Sequence, residues 1–261
     1  MSPIISSIHY CPVKSVSFQS IENCKINKNI GMVNDRIFAF AKELSEDEAK
    51  LFEKSPQNRK GKWNKILTLK NSPVLNKYNF HLKENKLILT HKNNELLSID
   101  FNNLGERETL TSKITELESS LKKPLTLMKN TDFPFYDTSI SKNVNFVNSV
   151  SLLNINSIKD FQDKIGKKIE SSIFRGNICI EGIDAWKERE WIGKKIKINN
   201  VVFNVEKNIP RCVAINLKPE SDDNTFSLLQ ELKKTYNHYD MGIYLTPETD
   251  GEINIGEELI F

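Results

Sequence analysis

Paired cysteines are the first thing this chain lacks. It has four, Cys11, Cys24, Cys179 and Cys212, in 261 residues, and no two fall at CxxC spacing. That excludes a zinc knuckle and a small disulfide framework, and it points to free thiols in a reducing compartment. Long apolar runs are missing as well. None approaches the roughly 18 residues of a membrane span, and the best stretch, 144–153, is broken by Asn and Ser. There is no HExxH, no Gly-rich phosphate loop of Walker or Rossmann type and no GxSxG elbow. Zincins, P-loop enzymes, simple dinucleotide dehydrogenases and α/β-hydrolases are thereby set aside. Neither sign of charge dominates: 37 Lys+Arg stand against 34 Asp+Glu, a net charge of +3. With the lysines dispersed, no nucleic-acid partner is expected. The opening residues show neither the basic nor the apolar region of a secretory signal, and a cytoplasmic location is expected.

What is present is an ordinary globular balance, 38% hydrophobic and 27% charged. The length suits one large or two small domains. Short strand-like runs recur: Ile4–Tyr10, Ser20–Ile26, Arg36–Ala41, Tyr78–Leu82, Lys86–Thr90, Glu95–Phe101 and Leu125–Lys129. Ile173–Glu181, Lys194–Ile198, Val201–Val205, Arg211–Leu217, Asp240–Thr246 and Ile253–Phe261 continue the series. Glu84-Asn85 and Asn199-Asn200 read as hairpin turns. Helices are few. One is capped by Ser45, one covers Lys113–Leu121, one starts at Ser157 and one covers Thr225–Lys234. The fold class expected is mainly β with a few helices, and the short strands of the first half suggest a β-barrel or sandwich there.

Several cations sit at strand ends or turns: Lys14 with Ser15, Arg36 after Asp35, Arg175 with Asn177, and Arg211 before Cys212. A buried charge without a partner is costly, so such a set suits a phosphate or another anion. The alternative for each is an ordinary ion pair on a solvated face. Arg211 beside Cys212 would favour a thiolate, the form that acts as nucleophile and metal ligand, and sulfur suits a soft metal. The alternative for Cys212 is a small buried hydrophobe. His238 could orient a ligand or cap the preceding helix.

The ordered motifs of the second half resemble the MOSC domain, the module shared with the C-terminal part of molybdenum cofactor sulfurase. They are Ser149-Val150-Ser151-Leu152-Leu153-Asn154, Phe174-Arg175-Gly176-Asn177-Ile178, Trp186-Lys187-Glu188, Pro210-Arg211-Cys212 and Asn237-His238-Tyr239-Asp240-Met241-Gly242. The first half, with Tyr10-Cys11-Pro12-Val13-Lys14-Ser15, Asp35-Arg36 and Trp63-Asn64-Lys65, resembles the N-terminal β-barrel that accompanies it. The resemblance implies a division at 1–110 and 111–261: a smaller N-terminal β-barrel or α+β unit, then a barrel-like MOSC domain. It implies a molybdenum–molybdopterin cofactor with Cys212 as metal ligand and catalytic residue. Lys14, Ser15 and Arg36 match phosphate-binding positions, Arg175 and Asn177 match pterin contacts, and Arg211 flanks the ligand.

The family includes the mitochondrial amidoxime-reducing component, so the activity implied is reduction of N-hydroxylated or N-oxide substrates. Electrons would come from a flavin reductase or a small iron–sulfur protein. The alternative implied is a sulfur carrier that holds a persulfide on Cys212 for metal–sulfur cluster assembly. It would be served by a cysteine desulfurase, with no pyridoxal phosphate on this chain. One departure stands out. The amidoxime-reducing relatives carry Tyr-x-Asp before the Ser-capped helix, whereas Asn145-Phe146-Val147-Asn148 offers no carboxylate, and Asp137 is the acid nearest by.

Overall fold

The computed structural model describes residues 2–121, 124–136 and 148–261. Asp137 and Asn145-Phe146-Val147 lie outside the described residues. The first half runs β1 (Ile4–Tyr10), β2 (Gln19–Ile21), β3 (Asn23–Asn27), β4 (Gly31–Met32), β5 (Phe38–Lys42), α1 (Glu46–Lys54), β6 (Asn79–Lys83), β7 (Lys86–His91), β8 (Asn94–Asp100), α2 (Leu104–Leu117) and β9 (Leu125–Lys129). The second half runs β10 (Val150–Asn154), α3 (Ile155–Ile165), β11 (Ile178–Glu181), β12 (Lys195–Ile198), β13 (Val201–Pro210), α4 (Leu228–Tyr236), β14 (Asp240–Pro247), β15 (Gly251–Asn254) and β16 (Leu259–Ile260). The fold is mainly β with few helices, as expected.

The largest sheet has eight strands in the order β16-β12-β13-β14-β10-β11-β1-β2. β1 comes from the start of the chain and pairs antiparallel with β11, matching Ile5 to Ile180 and Ile8 to Ile178. The smaller sheets are β15-β3-β4, β5-β9 and the meander β6-β7-β8. Among the described residues no strand ladder closes into a barrel, which corrects the barrel expectation. The chain before β16 does reach β1: Gly256 donates to Ile5 O (2.8 Å) and Ile5 donates to Glu257 O (2.9 Å). Only the isolated bridge Ile4–Glu258 forms there, so the seam stays short of a ladder.

Burial follows the alternation of the strands. One core gathers Ile8 of β1, Ile26 of β3 and Met32 of β4 with Leu152, Ile178, Phe203 and Ile243. A second packs Phe38, Phe80 and Leu89 under Leu110 and Ile114 of α2. A third joins Phe161 of α3 and Leu232 of α4 to Phe174 and Met241. The boundary expected between 110 and 111 falls inside α2.

Local departures from the sequence expectation have clear causes. The hairpins at Glu84-Asn85 and Asn199-Asn200 form as expected, with Lys83 opposite Lys86 and Ile198 opposite Val201. Ser45 caps α1 in a capping box with Glu48. α2 starts earlier than expected because the Asn103 side chain accepts from Gly105 N and Glu106 N. α3 is capped by Asn154 rather than Ser157, and α4 begins at Leu228 rather than Thr225. The strand expected over Ile173–Glu181 is a 3-10 turn at Ser171–Phe174 followed by β11, because Arg175 between them is left-handed (φ +52°). The strand expected over Arg211–Leu217 is instead a 3-10 turn at Val213–Asn216. β13 ends at Pro210, and proline has no N–H with which to extend a ladder.

Candidate functional site

The structure gathers Arg36, Arg175 and Asn177 where β1 ends and β5, β10 and β11 begin. The stitch is Asp35, which is fully buried. Its Oδ1 accepts from Cys11 N (2.9 Å) and its Oδ2 accepts from Asn177 Nδ2 (3.1 Å). The same Oδ2 pairs with the Arg36 guanidinium. Asn177 reaches the next strand as well, where its Oδ1 accepts from Ser151 N (3.2 Å) and Ser151 Oγ (2.8 Å). Burial works against the charge on Arg36, but the Asp35 carboxylate together with Cys11, Tyr136 and Tyr244 outweighs it and leaves the arginine above its ordinary pKa.

Arg36 and Arg175 share an aromatic support. Their guanidinium carbons lie 5.0 Å and 4.6 Å from the centre of the Phe18 ring, and Arg36 also lies 5.6 Å from the Tyr136 ring. Contacts of this kind contribute about 0.5–2 kcal/mol each, so the ring helps hold two like charges close together. Both arginines carry left-handed backbone, φ +54° and +52°, a strain that surrounding contacts must hold in place. Arg175 Nη2 donates to Val16 O (2.8 Å) and Nη1 donates to Asn76 Oδ1 (3.3 Å). Burial lowers the Arg175 pKa from its ordinary value and the neighbouring Cys11 partly opposes that; the group remains cationic at neutral pH.

The other expected residues are tied into the protein's own backbone. Lys14 Nζ donates to Tyr136 O (2.9 Å) and Ser15 Oγ donates to Leu67 O (3.3 Å). Arg211 donates through Nε to Met241 O (2.8 Å) and through Nη1 to Phe174 O (2.7 Å). It thereby clamps the start of β14 to the residue before Arg175. Cys212 heads the 3-10 turn after β13 and is the exposed cysteine of the four. Burial pushes the thiols of Cys24 and Cys179 up to about 12 and about 11, and it raises Cys11 too. Cys212 is thus the thiol open to solution chemistry, and the buried-hydrophobe alternative does not describe it. His238 packs with Trp186 and Tyr236 and meets Arg189 Nη1 (2.8 Å); it does not line the cavity described next.

A cavity of about 410 Å³ opens beside this cluster. Ser17, Phe18, Asn76 and Arg175 line it together with Ala214, Leu217 and Pro219 from the turn and loop after Cys212; Cys212 itself is not among the lining residues. Sequence reasoning missed Phe18 and Asn76. An isolated Phe or Asn in a loop carries no motif, and only the fold brings them to Arg175.

Residues 143–260 match the family model described as the MOSC domain. The match covers the C-terminal part of the chain, somewhat less than half of its length. That MOSC stretch contains Arg175, Asn177, Arg211 and Cys212, whereas Lys14, Ser15, Arg36, Phe18 and Asn76 precede it. Over 157 residues the chain is 24% identical to mitochondrial amidoxime reducing component 2 of Bos taurus, covering 56% of this chain and 45% of that protein. The chain therefore spans less than half the length of that curated relative. Among solved structures it is similar to the YuaD protein from Bacillus subtilis, at 10% identity and a TM-score of 0.46, covering 99% of this chain and 94% of that one. It is also similar to YiiM from Geobacillus stearothermophilus, at 14% identity and a TM-score of 0.35, covering 42% and 52%.

Proposed function

We propose that this protein binds a molybdenum–pterin cofactor in the cavity beside Arg175 and reduces N-hydroxylated or N-oxide substrates with it. One observation carries the reading: the exposed thiol of Cys212 heads the turn whose Ala214 lines the same cavity as the Arg175 guanidinium. The donor set fits such a group, since a thiolate suits a soft metal and guanidiniums suit a phosphate. The MOSC match supports the reading, because that family is generally associated with molybdenum cofactor binding, and so does the relative named for amidoxime reduction.

Cys212 would hold the metal. Arg175 and Asn177 would face the pterin, and Lys14, Ser15 and Arg36 would hold its phosphate. When bound, the cofactor supplies a two-electron redox centre and a Lewis acid. The chain's own residues do the rest. Asp35, itself held by Asn177, fixes Arg36, and Val16 O and Asn76 Oδ1 hold Arg175. Arg211, spent on backbone carbonyls, sets the position of Cys212 rather than reaching for a ligand. Phe18, Ile173 and Leu217 put apolar surface into the cavity wall and limit water. Electrons would arrive from a flavin reductase or a small iron–sulfur protein.

The test is molybdenum content by elemental mass spectrometry after expression in a host that makes the cofactor. Near-stoichiometric metal is expected in the wild type, with loss of metal and turnover in Cys212→Ser at unchanged thermal stability. Metal retained in the variant would overturn the assignment of the ligand. The exposure of Cys212 favours a second reading, a sulfur carrier loaded by a cysteine desulfurase. A persulfide on Cys212 in intact-protein mass spectra, with no metal, would select it.

A further inference from the structure

We infer that Asn76 is a positioning residue that couples the outer wall of the cavity to Arg175. The inference rests on the reading of this cavity as a ligand site. Asn76 sits on the 3-10 turn Pro73–Lys77, ahead of β6, and is only 4% exposed. Its carboxamide is used at both ends. Nδ2 donates to Lys218 O (2.9 Å) and Ser221 O (2.8 Å). Oδ1 accepts from Arg175 Nη1 (3.3 Å), and Ser17 Oγ, which donates to the Asn76 backbone carbonyl (2.6 Å), lies 3.4 Å from it. Two donors and two lone pairs are the whole hydrogen-bonding capacity of an asparagine side chain. Aspartate keeps the acceptor and loses the donors, and alanine loses both.

The carbonyls it holds belong to the loop whose Leu217, Pro219 and Glu220 line the cavity. The same loop is fastened twice more to the same stretch of chain. Asn79 Nδ2 donates to Glu220 Oε1 (2.9 Å), and Lys77 lies 3.8 Å from Asp222. The long, partly exposed Lys77–Asp222 pair contributes little, whereas the buried amide donates to two backbone carbonyls that lose those bonds without it. Asn76 is thus the element of the latch that also touches the arginine. A ligand that draws on Arg175 Nη1 alters the partner of Asn76 Oδ1, and loop order and cavity occupancy change together. MOSC motif spacing says nothing of this residue, which lies well before the matched stretch.

The experiment compares wild type, Asn76→Asp, Asn76→Ala and Arg175→Met, all expressed in a cofactor-making host. Hydrogen–deuterium exchange of 217–223 reads the loop, where Lys218 N bonds Asp223 O. Fluorescence of pterin released on denaturation reads occupancy per folded protein. Loss of two hydrogen bonds predicts exchange faster by roughly tenfold in both Asn76 variants, and a smaller acceleration in Arg175→Met. Pterin per folded protein should fall in both Asn76 variants and fall further in Asn76→Asp, whose carboxylate captures Arg175 as an ion pair. A merely structural asparagine would lower the melting temperature and leave the pterin ratio of the folded fraction unchanged, and that result overturns the inference. Unchanged loop exchange in Arg175→Met overturns it as well. Wild type without pterin would fail the reading of the cavity, while the exchange comparison would still decide whether arginine and loop are coupled.

Discussion

Gly242 shows how narrowly single residues set this site. It lies on β14 next to Met241, whose carbonyl receives the Arg211 guanidinium. Its backbone is left-handed at φ +79°, and a Cβ there would stand 2.3 Å from Leu152 O, a backbone atom of the neighbouring strand β10. Gly242→Ala should therefore cost about 2–5 kcal/mol, from backbone strain together with overpacking. Urea unfolding checks this, and a loss below about 1 kcal/mol would mean that β10 and β14 give way easily. At this scale the sequence was readable wherever chemistry is carried by residue type. Arg175, Arg36 and Cys212 stand out by charge or sulfur near strand ends, and Asn177 by its place beside Arg175. Phe18, Asn76 and Cys11 do not, because their roles come from neighbours more than fifty residues distant, or from burial.

Among the elements, the start of α3 is the most instructive. Ser157 has the right type and spacing for an N-cap, yet Asn154 takes the cap and Ser157 turns inward. Its hydroxyl donates to Glu188 Oε1 (2.9 Å) and accepts from Trp186 N (2.7 Å). Asn154 Nδ2 donates to the other oxygen of Glu188 (2.9 Å). A buried carboxylate beyond β11, invisible to any local pattern, thus decides which residue caps the helix. Burial raises the Glu188 pKa, with the Asn154 and Ser157 donors partly opposing. The native state then binds this proton more tightly than the unfolded chain. The contribution is present in full below the unfolded pKa and is lost as pH rises through the higher native one. The stability of wild type relative to Glu188→Gln should accordingly decline as pH rises from below the ordinary glutamate pKa through the raised native one. Denaturant unfolding of the pair across that range measures it, and a flat difference would show that the carboxyl titrates alike in both states. The turns after Pro210 and before Arg175 escaped the strand reading for a related reason: apolar residues in a 3-10 turn carry the same hydropathy as a short strand.

The whole molecule is knitted from both ends of the chain, and this bears on what can be cut from it. The resemblance to a two-unit family suggests that residues 111–261 could stand alone. In the fold, however, β1 fills the place beside β11 in the eight-stranded sheet, and β3 pairs with β15 through Cys24–Ile253 and Ile26–Gly251. Ile5, Ile8, Cys24, Ile26 and Met32 enter the same core as Leu152, Phe203 and Ile243. Each fully buried side chain of this kind contributes about 1.5–3 kcal/mol. Removing the set withdraws on the order of 10 kcal/mol, comparable to the entire stability of a typical domain, and bares the edge of β11. A fragment of residues 111–261 should therefore show no cooperative thermal transition by circular dichroism and should elute as aggregate. Co-expression with a fragment of residues 1–110 should restore a soluble complex, because the missing strand and side chains return in trans. A fragment 111–261 that melts cooperatively by itself would mean that the C-terminal strands re-close without β1, and that the first strand serves the site around Asp35 rather than the stability of the sheet.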